Sequence, residues 1–421
     1  MNKRASVVAQ INKNIQYYKF CAYGFFKNLR FFDAFIFLFF MEKGLLFVQI
    51  GVLYAIREII VAVMEIPSGV IADSLGRRRI LVLSFFFYIL SFITFYFSEN
   101  YVAFMLGMAF YALGDALRSG VHKAMIYQYL RINNWSDQKV NYYGHTRSWS
   151  QLGSAVSALF AGVIVFYSGN YQSIFLASII PYLIDMFLIM SYPKALDIEL
   201  KSFSKQALSS QFKKVIHAFS YSFKSIRFLK VLTSTSIYTG YFKAVKDYIQ
   251  PLLMSFALAM PFLAYLNDEK KTAIIVGVIY FFIFLLTSRA SRISGNLAAR
   301  YKELGRPLNL TITIGFIIGV IAGLTFASGY FILAIAGFIA IIIIENLRKP
   351  IGFGMVAELS KEKAMATTLS ATSQAKSIFA AIISPLIGWV ADLYNPGIAI
   401  AVVSVILILM FPVYWLKQDI N

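Results

Sequence analysis

Acid and base recur at a fixed spacing inside apolar stretches of this 421-residue chain. Asp115-Ala116-Leu117-Arg118 and Glu345-Asn346-Leu347-Arg348 share one acid-x-Leu-Arg pattern, and Arg30 and Asp33 keep the same separation. Residues three apart share a helix face, so each acid can neutralise its own arginine. The same side chains can instead receive a ligand, because guanidinium forks bind carboxylate or phosphate bidentately and lysines act as point charges. Arg147 and Lys243 have no acid at that spacing, whereas Lys246 is followed directly by Asp247. The cations Arg30, Arg118, Arg147, Lys243, Lys246 and Arg348 outnumber Asp33, Asp115, Asp247 and Glu345. Buried positive charge in excess needs a compensating anion, so the expected substrate is a small organic anion or an anionic amphiphile. Gln151 and Gln374 follow serine in Ser150-Gln151 and Ser373-Gln374 and are polar candidates for the same cavity.

Acids placed inside apolar stretches can also gain and lose a proton as their surroundings change. Asp33, Asp115 and Glu345 are the candidates. His122, close to one end of its helix, reads more simply as a solvated side chain. No glycine-rich loop with lysine suggests ATP, no Cys or His cluster suggests a metal, and no nucleophile-base arrangement suggests an enzyme. No cofactor is expected.

These charges lie in a chain that is 59% hydrophobic and 14% charged, well below the roughly 25% charged residues of ordinary globular proteins. Apolar runs of about twenty residues suit membrane helices rather than the ten-residue strands of a barrel. Twelve spans are expected, at 17-41, 46-72, 79-98, 101-126, 143-168, 172-191, 229-264, 272-294, 308-327, 329-350, 365-392 and 397-416. The seventh is long and expected to break at Pro251 or Pro261. Phe85 to Phe87 and Phe281 to Phe284 read as lipid contacts. Lone Cys21 excludes an internal disulfide framework.

The net charge of +19 reports topology rather than nucleic-acid binding. Lysine and arginine crowd the N-terminus, the Arg77 to Arg79 triplet and the stretch from Lys194 to Lys230, whereas 98-101, 168-172 and 326-330 have none. By the positive-inside rule, both termini and the long central connection are cytoplasmic. No cleavable signal peptide is evident. The expected organisation is a six-helix bundle over 1-192, a basic cytoplasmic linker over 193-228 with amphipathic character near 212-223, and a second bundle over 229-421.

Between the second and third spans runs Gly69-Val70-Ile71-Ala72-Asp73-Ser74-Leu75-Gly76-Arg77-Arg78-Arg79. Gly69, Asp73, Gly76, Arg77 and Arg78 match the loop signature of the major facilitator superfamily, which this chain resembles over essentially its whole length. Ser74 stands where that family usually carries a basic residue. The resemblance implies an all-α fold of two six-helix pseudo-repeats, with helices one, four, seven and ten around a central cavity. It implies that Asp73 and the following arginines form a cytoplasmic gate that holds the outward-open state. It further implies a secondary transporter of the cytoplasmic (inner) membrane, a monomer in the lipid bilayer, with protons as the default coupling ion. A multidrug or antibiotic efflux proton antiporter is the alternative, in which the acids would recognise a cationic compound. A membrane sensor that kept the transporter fold is a further one.

Overall fold

The computed structural model describes residues 11–197, 206, 209–210, 213, 226–263, 265–301, 303–359 and 365–416. Twelve spans form the bundle. Eight are continuous: span 2 (Phe47–Leu75), span 3 (Arg77–Phe97), span 5 (Lys139–Ser168), span 6 (Ser173–Met190), span 8 (Asp268–Ala299), span 9 (Gly305–Ala327), span 10 (Phe331–Leu359) and span 11 (Met365–Leu393). Each of these eight contains a stretch long and apolar enough to cross a membrane. The other four are interrupted: span 1 (Ile15–Lys27 and Ile36–Glu42), span 4 (Tyr101–Arg118 and Val121–Ile132), span 7 (Ile226–Val245 and Ile249–Leu258) and span 12 (Pro396–Leu409 and Phe411–Tyr414).

The interruptions correct three of the expected spans, since the first, fourth and twelfth are not single helices. Span 4 stops where Gly120 turns left-handed at φ 73° and then restarts, a conformation that glycine adopts without a Cβ clash. Span 7 breaks over Lys246–Tyr248, just ahead of Pro251, whose ring clashes with the carbonyl four residues earlier. Span 1 has neither proline nor glycine at its break. It gives way to a 3-10 turn at Phe31–Ala34, and the freed backbone groups find a partner in span 7. The Gln250 amide donates to the Asp33 carbonyl at 2.9 Å, and its oxygen accepts from Phe37 N–H at 2.9 Å. In lipid, a broken helix is tolerated only where such partners replace the lost hydrogen bonds.

Spans 1 to 6 pack into one half and spans 7 to 12 into the other, and the halves meet along two seams, 2 against 11 and 5 against 8. Small residues let the backbones close in. A Cβ on Gly51 would stand 2.5 Å from the Ser384 carbonyl oxygen, and one on Gly162 would stand 2.8 Å from that of Ala273. We call the end where span 1 begins and span 12 finishes the terminal face. Both glycine contacts lie toward the other end, the opposite face.

Phe86, Phe160, Ile180, Phe187, Phe282 and Ile332 are exposed around the outside, as lipid contacts require. Phe85 differs from its expected role, being fully buried against Tyr23 and Tyr182. The basic N-terminus, the amphipathic stretch at 212-223 and most of the 193-228 linker lie outside the described residues.

Candidate functional site

Two cavities lie between the seams and the terminal face. The larger, of 430 Å³, is formed by spans 7, 9, 10 and 11 together with one residue of span 5; its charged lining is Arg147, Arg348, Lys349 and Lys376. The smaller, of 230 Å³, lies among spans 1, 4 and 5, and its basic lining is Lys27, Arg118, His122, Lys123 and Arg147. Arg147 borders both, and no Asp or Glu is among the lining residues of either. The excess of positive charge read from the sequence is therefore concentrated at the cavities rather than spread along the helices.

The carboxylates lie behind that wall, and their partners decide how much charge is left over. Asp115 is held by three groups: Arg57 at 3.3 Å, Arg118 at 3.3 Å and the Tyr88 hydroxyl at 2.6 Å. Arg118 also donates through Nε to Tyr88 at 3.0 Å. One carboxylate thus serves two arginines, leaving a net positive charge beside the smaller cavity. Arg30 lies 3.7 Å from Asp33, and neither lines a cavity.

The second copy of the acid-x-Leu-Arg pattern behaves differently. Glu345 accepts from Thr239 Oγ1 at 3.0 Å and makes no ion pair with Arg348 among the described residues. Arg348, only 3% exposed, donates to Thr311 Oγ1 at 2.8 Å, to the Ser234 carbonyl at 3.0 Å and to the Leu308 carbonyl. Its guanidinium also lies 5.0 Å from the Tyr238 ring centroid. Those partners satisfy its donors without cancelling its charge. A repeat in sequence is here not a repeat in pairing.

Other expected site residues occupy other places. Lys243 reaches across to Glu58 of span 2 at 2.5 Å, and Ser377 of span 11 donates to the same oxygen at 2.7 Å. Lys246 pairs with its neighbour Asp247 at 2.7 Å. Gln374 points to the Ala62 carbonyl at 3.5 Å, and neither it nor Gln151 lines a cavity. The structure adds Lys27, Lys123, Lys349 and Lys376, each a charge in or beside an apolar run and so visible in sequence. It also moves His122 from the solvent into a stack on Tyr23, with ring centroids 3.6 Å apart.

The segment from Gly69 to Arg79 is anchored to the end of the first half and the start of the linker. Gly76 turns at φ 93° between spans 2 and 3. The Arg78 N–H donates to Asp197 Oδ1 at 2.8 Å, and its guanidinium donates to the Tyr192 carbonyl at 3.1 Å. Gly69 is exposed; the side chain of Asp73 lies outside what the structure describes. At the opposite face, Asp392, near the end of span 11, accepts from Phe47 N–H and Val48 N–H, both at 2.8 Å. A carboxylate on these N-terminal amides completes their hydrogen bonds and favours the helix dipole. Lys43 and Glu99 add a 3.4 Å pair nearby.

This arrangement of two six-helix halves has counterparts among known proteins. The crystal structure of a point mutant of the nucleoside transporter NupG superposes with a TM-score of 0.77 at 14% identity, over 96% of this chain and 99% of that one. A POT family transporter in complex with 5-aminolevulinic acid gives 0.67 at 14% identity, covering 94% and 95%. A D-xylose-proton symporter gives 0.63 at 11% identity, covering 93% and 96%. At such identities the likeness concerns the fold. The MFS-type transporter YxaM of Bacillus subtilis (strain 168) is 40% identical over 83 residues, 20% of this chain and 21% of that protein, so the match spans about a fifth of the relative's length. The model of the Major Facilitator Superfamily matches residues 23–374. With that match running through both halves and the fold agreeing over nearly its full length, the chain belongs to the Major Facilitator Superfamily and is a multi-pass membrane transporter.

Proposed function

We propose that the protein carries a small organic anion or anionic amphiphile across the cytoplasmic membrane by alternating access, with protons as the coupling ion. The observation that supports this most is the pair of basic cavities that share Arg147 and have no carboxylate in their linings. Arg147 and Lys349 are exposed, whereas Lys27, Arg118, Lys376 and Arg348 are half-buried or buried, where an uncompensated cation is costly and a bound anion removes that cost. Lys27, Arg118 and Arg147 approach such an anion from one half, and Arg348, Lys349 and Lys376 from the other. Phe20 and Tyr23, which also line the smaller cavity, offer apolar surface to an amphiphile. Lys243, Lys246 and Arg30 serve as ion-pair partners in this state rather than as ligands.

The concentration of lysine and arginine near the terminal face makes that face, and both chain ends, cytoplasmic. The cavities then lie toward the cytoplasm while the outer end is closed by the two seams and by Asp392 on span 2. Residues 1-192 and 229-421 rock about the site of a monomer, with 193-228 as the cytoplasmic link. Opening outward separates Asp392 from span 2 and brings the segment with Asp73, Arg77 and Arg78 into contact with the second half. Glu345 is the best placed of the three acids to exchange a proton, since Asp115 is held by two arginines and Asp33 lies away from the cavities.

Uptake of radiolabelled benzoate into proteoliposomes provides the test. Accumulation driven by a pH gradient and abolished by Arg147→Gln agrees with the reading. Transport of a lipophilic cation, with benzoate inert, would replace it with drug efflux.

A further inference from the structure

Asp185 is the only charged residue in span 6, and neither the cavities nor the gate uses it. Its side chain is fully buried, and both carboxyl oxygens lack a hydrogen-bond partner. Stripping a carboxylate of water without supplying a donor is costly, and a buried polar group left this way calls for an explanation.

The surroundings of Asp185 are those of the smaller cavity. Span 1 brings Tyr23 and Lys27 toward it, and span 4 brings Arg118. His122, also from span 4, stacks on Tyr23 and meets at 3.2 Å the hydroxyl of Tyr192, which follows the end of span 6. On the span 3 side, Tyr88 faces Tyr182, one turn before Asp185, with centroids 5.2 Å apart. Arg30 adds a cation to that same tyrosine from the break in span 1. Lys27 and Arg118 are thus the cations that both face Asp185 and line the cavity. Arg118 already has Asp115, whereas Lys27 forms no ion pair among the described residues. Its long, flexible side chain can turn toward either side.

We propose that Asp185 is a proton-carrying site coupled to the smaller cavity: it is the neutral acid while an anion rests on Lys27 and Arg118, and it ionises and pairs with Lys27 when the anion leaves. This rests on the anion reading of the cavity. On release, the Asp185 O–H bond breaks, the proton departs, and the new carboxylate replaces the departing negative charge beside Lys27. Asp185, rather than Glu345, then carries the one proton that moves with each unit of cargo charge, so transport of a monoanion is electroneutral and insensitive to membrane potential.

Infrared spectroscopy of the purified full-length protein, with benzoate as the probe, tests this. The carbonyl stretch of a protonated carboxylic acid should be present with benzoate, weaken on its removal, and be lost in Asp185→Asn. Asp185→Glu should restore it at a shifted frequency, which guards against a variant that merely misfolds. In proteoliposomes, Asp185→Asn should keep benzoate exchange at equal pH and lose accumulation driven by a pH gradient. The proposal is overturned if Asp185→Asn leaves the infrared band unchanged or retains gradient-driven accumulation. A band that is lost in Asp185→Asn while benzoate fails to bind the wild type supports the proton site and removes the cargo assignment instead.

Discussion

Glu58 and Lys243 join the two halves of the transporter, with Oε2 and Nζ 2.5 Å apart and Ser377 donating to the same oxygen. Glu58 is almost wholly buried, with its side chain 8% exposed. The pair draws span 2 toward spans 7 and 11, beside the seam formed by spans 2 and 11. A rocking motion about the site must stretch or break it, so it contributes to holding the state described here.

Glu58→Gln removes the charge but keeps the shape. Hydrogen bonds to a charged group contribute about 1.5–3 kcal/mol each, and the variant should lose stability on that scale. A spin-label distance across the opposite face, measured between spans 2 and 11, should lengthen on average. An unchanged distance distribution would show that the pair does not report the conformational state.

Asp392 holds the opposite-face end of the same seam through two charge-assisted hydrogen bonds of 2.8 Å. Asp392→Ala should weaken closure by roughly 1–3 kcal/mol, which corresponds to a roughly five- to hundredfold change in the open population. Alkylation of Ser384→Cys in a Cys21→Ser background gives the readout, because Ser384 is buried in the seam. Faster labelling in the Asp392→Ala background is expected.

Asp115 stands between Arg57 and Arg118, so removing its charge leaves two half-buried cations without their carboxylate. Loss of one partner from a fully buried pair costs about 3–5 kcal/mol, which is an upper bound for this partly exposed site. Asp115→Asn should therefore depress thermal stability more than Asp33→Asn, whose carboxylate is 36% exposed and bound by a longer contact. Equal effects of the two variants would contradict this ranking.

The spans and the interior charges were legible in the sequence because lipid permits few solutions. About twenty apolar residues must be a helix, and a charge within them must face protein or water. The breaks were only partly legible. Pro251 and Gly120 announce two of them locally, but the break in span 1 depends on Gln250 from the other half, more than two hundred residues away. Pairing was less legible still. Asp115 and Glu345 look equivalent in sequence, yet Tyr88 and Arg57 surround one while, among the described residues, Thr239 is the hydrogen-bond partner of the other. Likewise Lys243 has no acid three residues away because its partner is Glu58, on a helix of the first half. Local spacing records helix faces and carries no information about which helices meet.

Arg147 is the residue on which the substrate assignment converges, since it alone borders both cavities. The most direct measurement is the thermal stability of purified wild-type and Arg147→Gln protein with benzoate or with tetraphenylphosphonium. A ligand that binds the folded state raises apparent stability by mass action. Benzoate should stabilise the wild type and lose that effect in Arg147→Gln, while tetraphenylphosphonium does nothing to either. Stabilisation by tetraphenylphosphonium alone, equal in both proteins, would contradict an anion site between the halves.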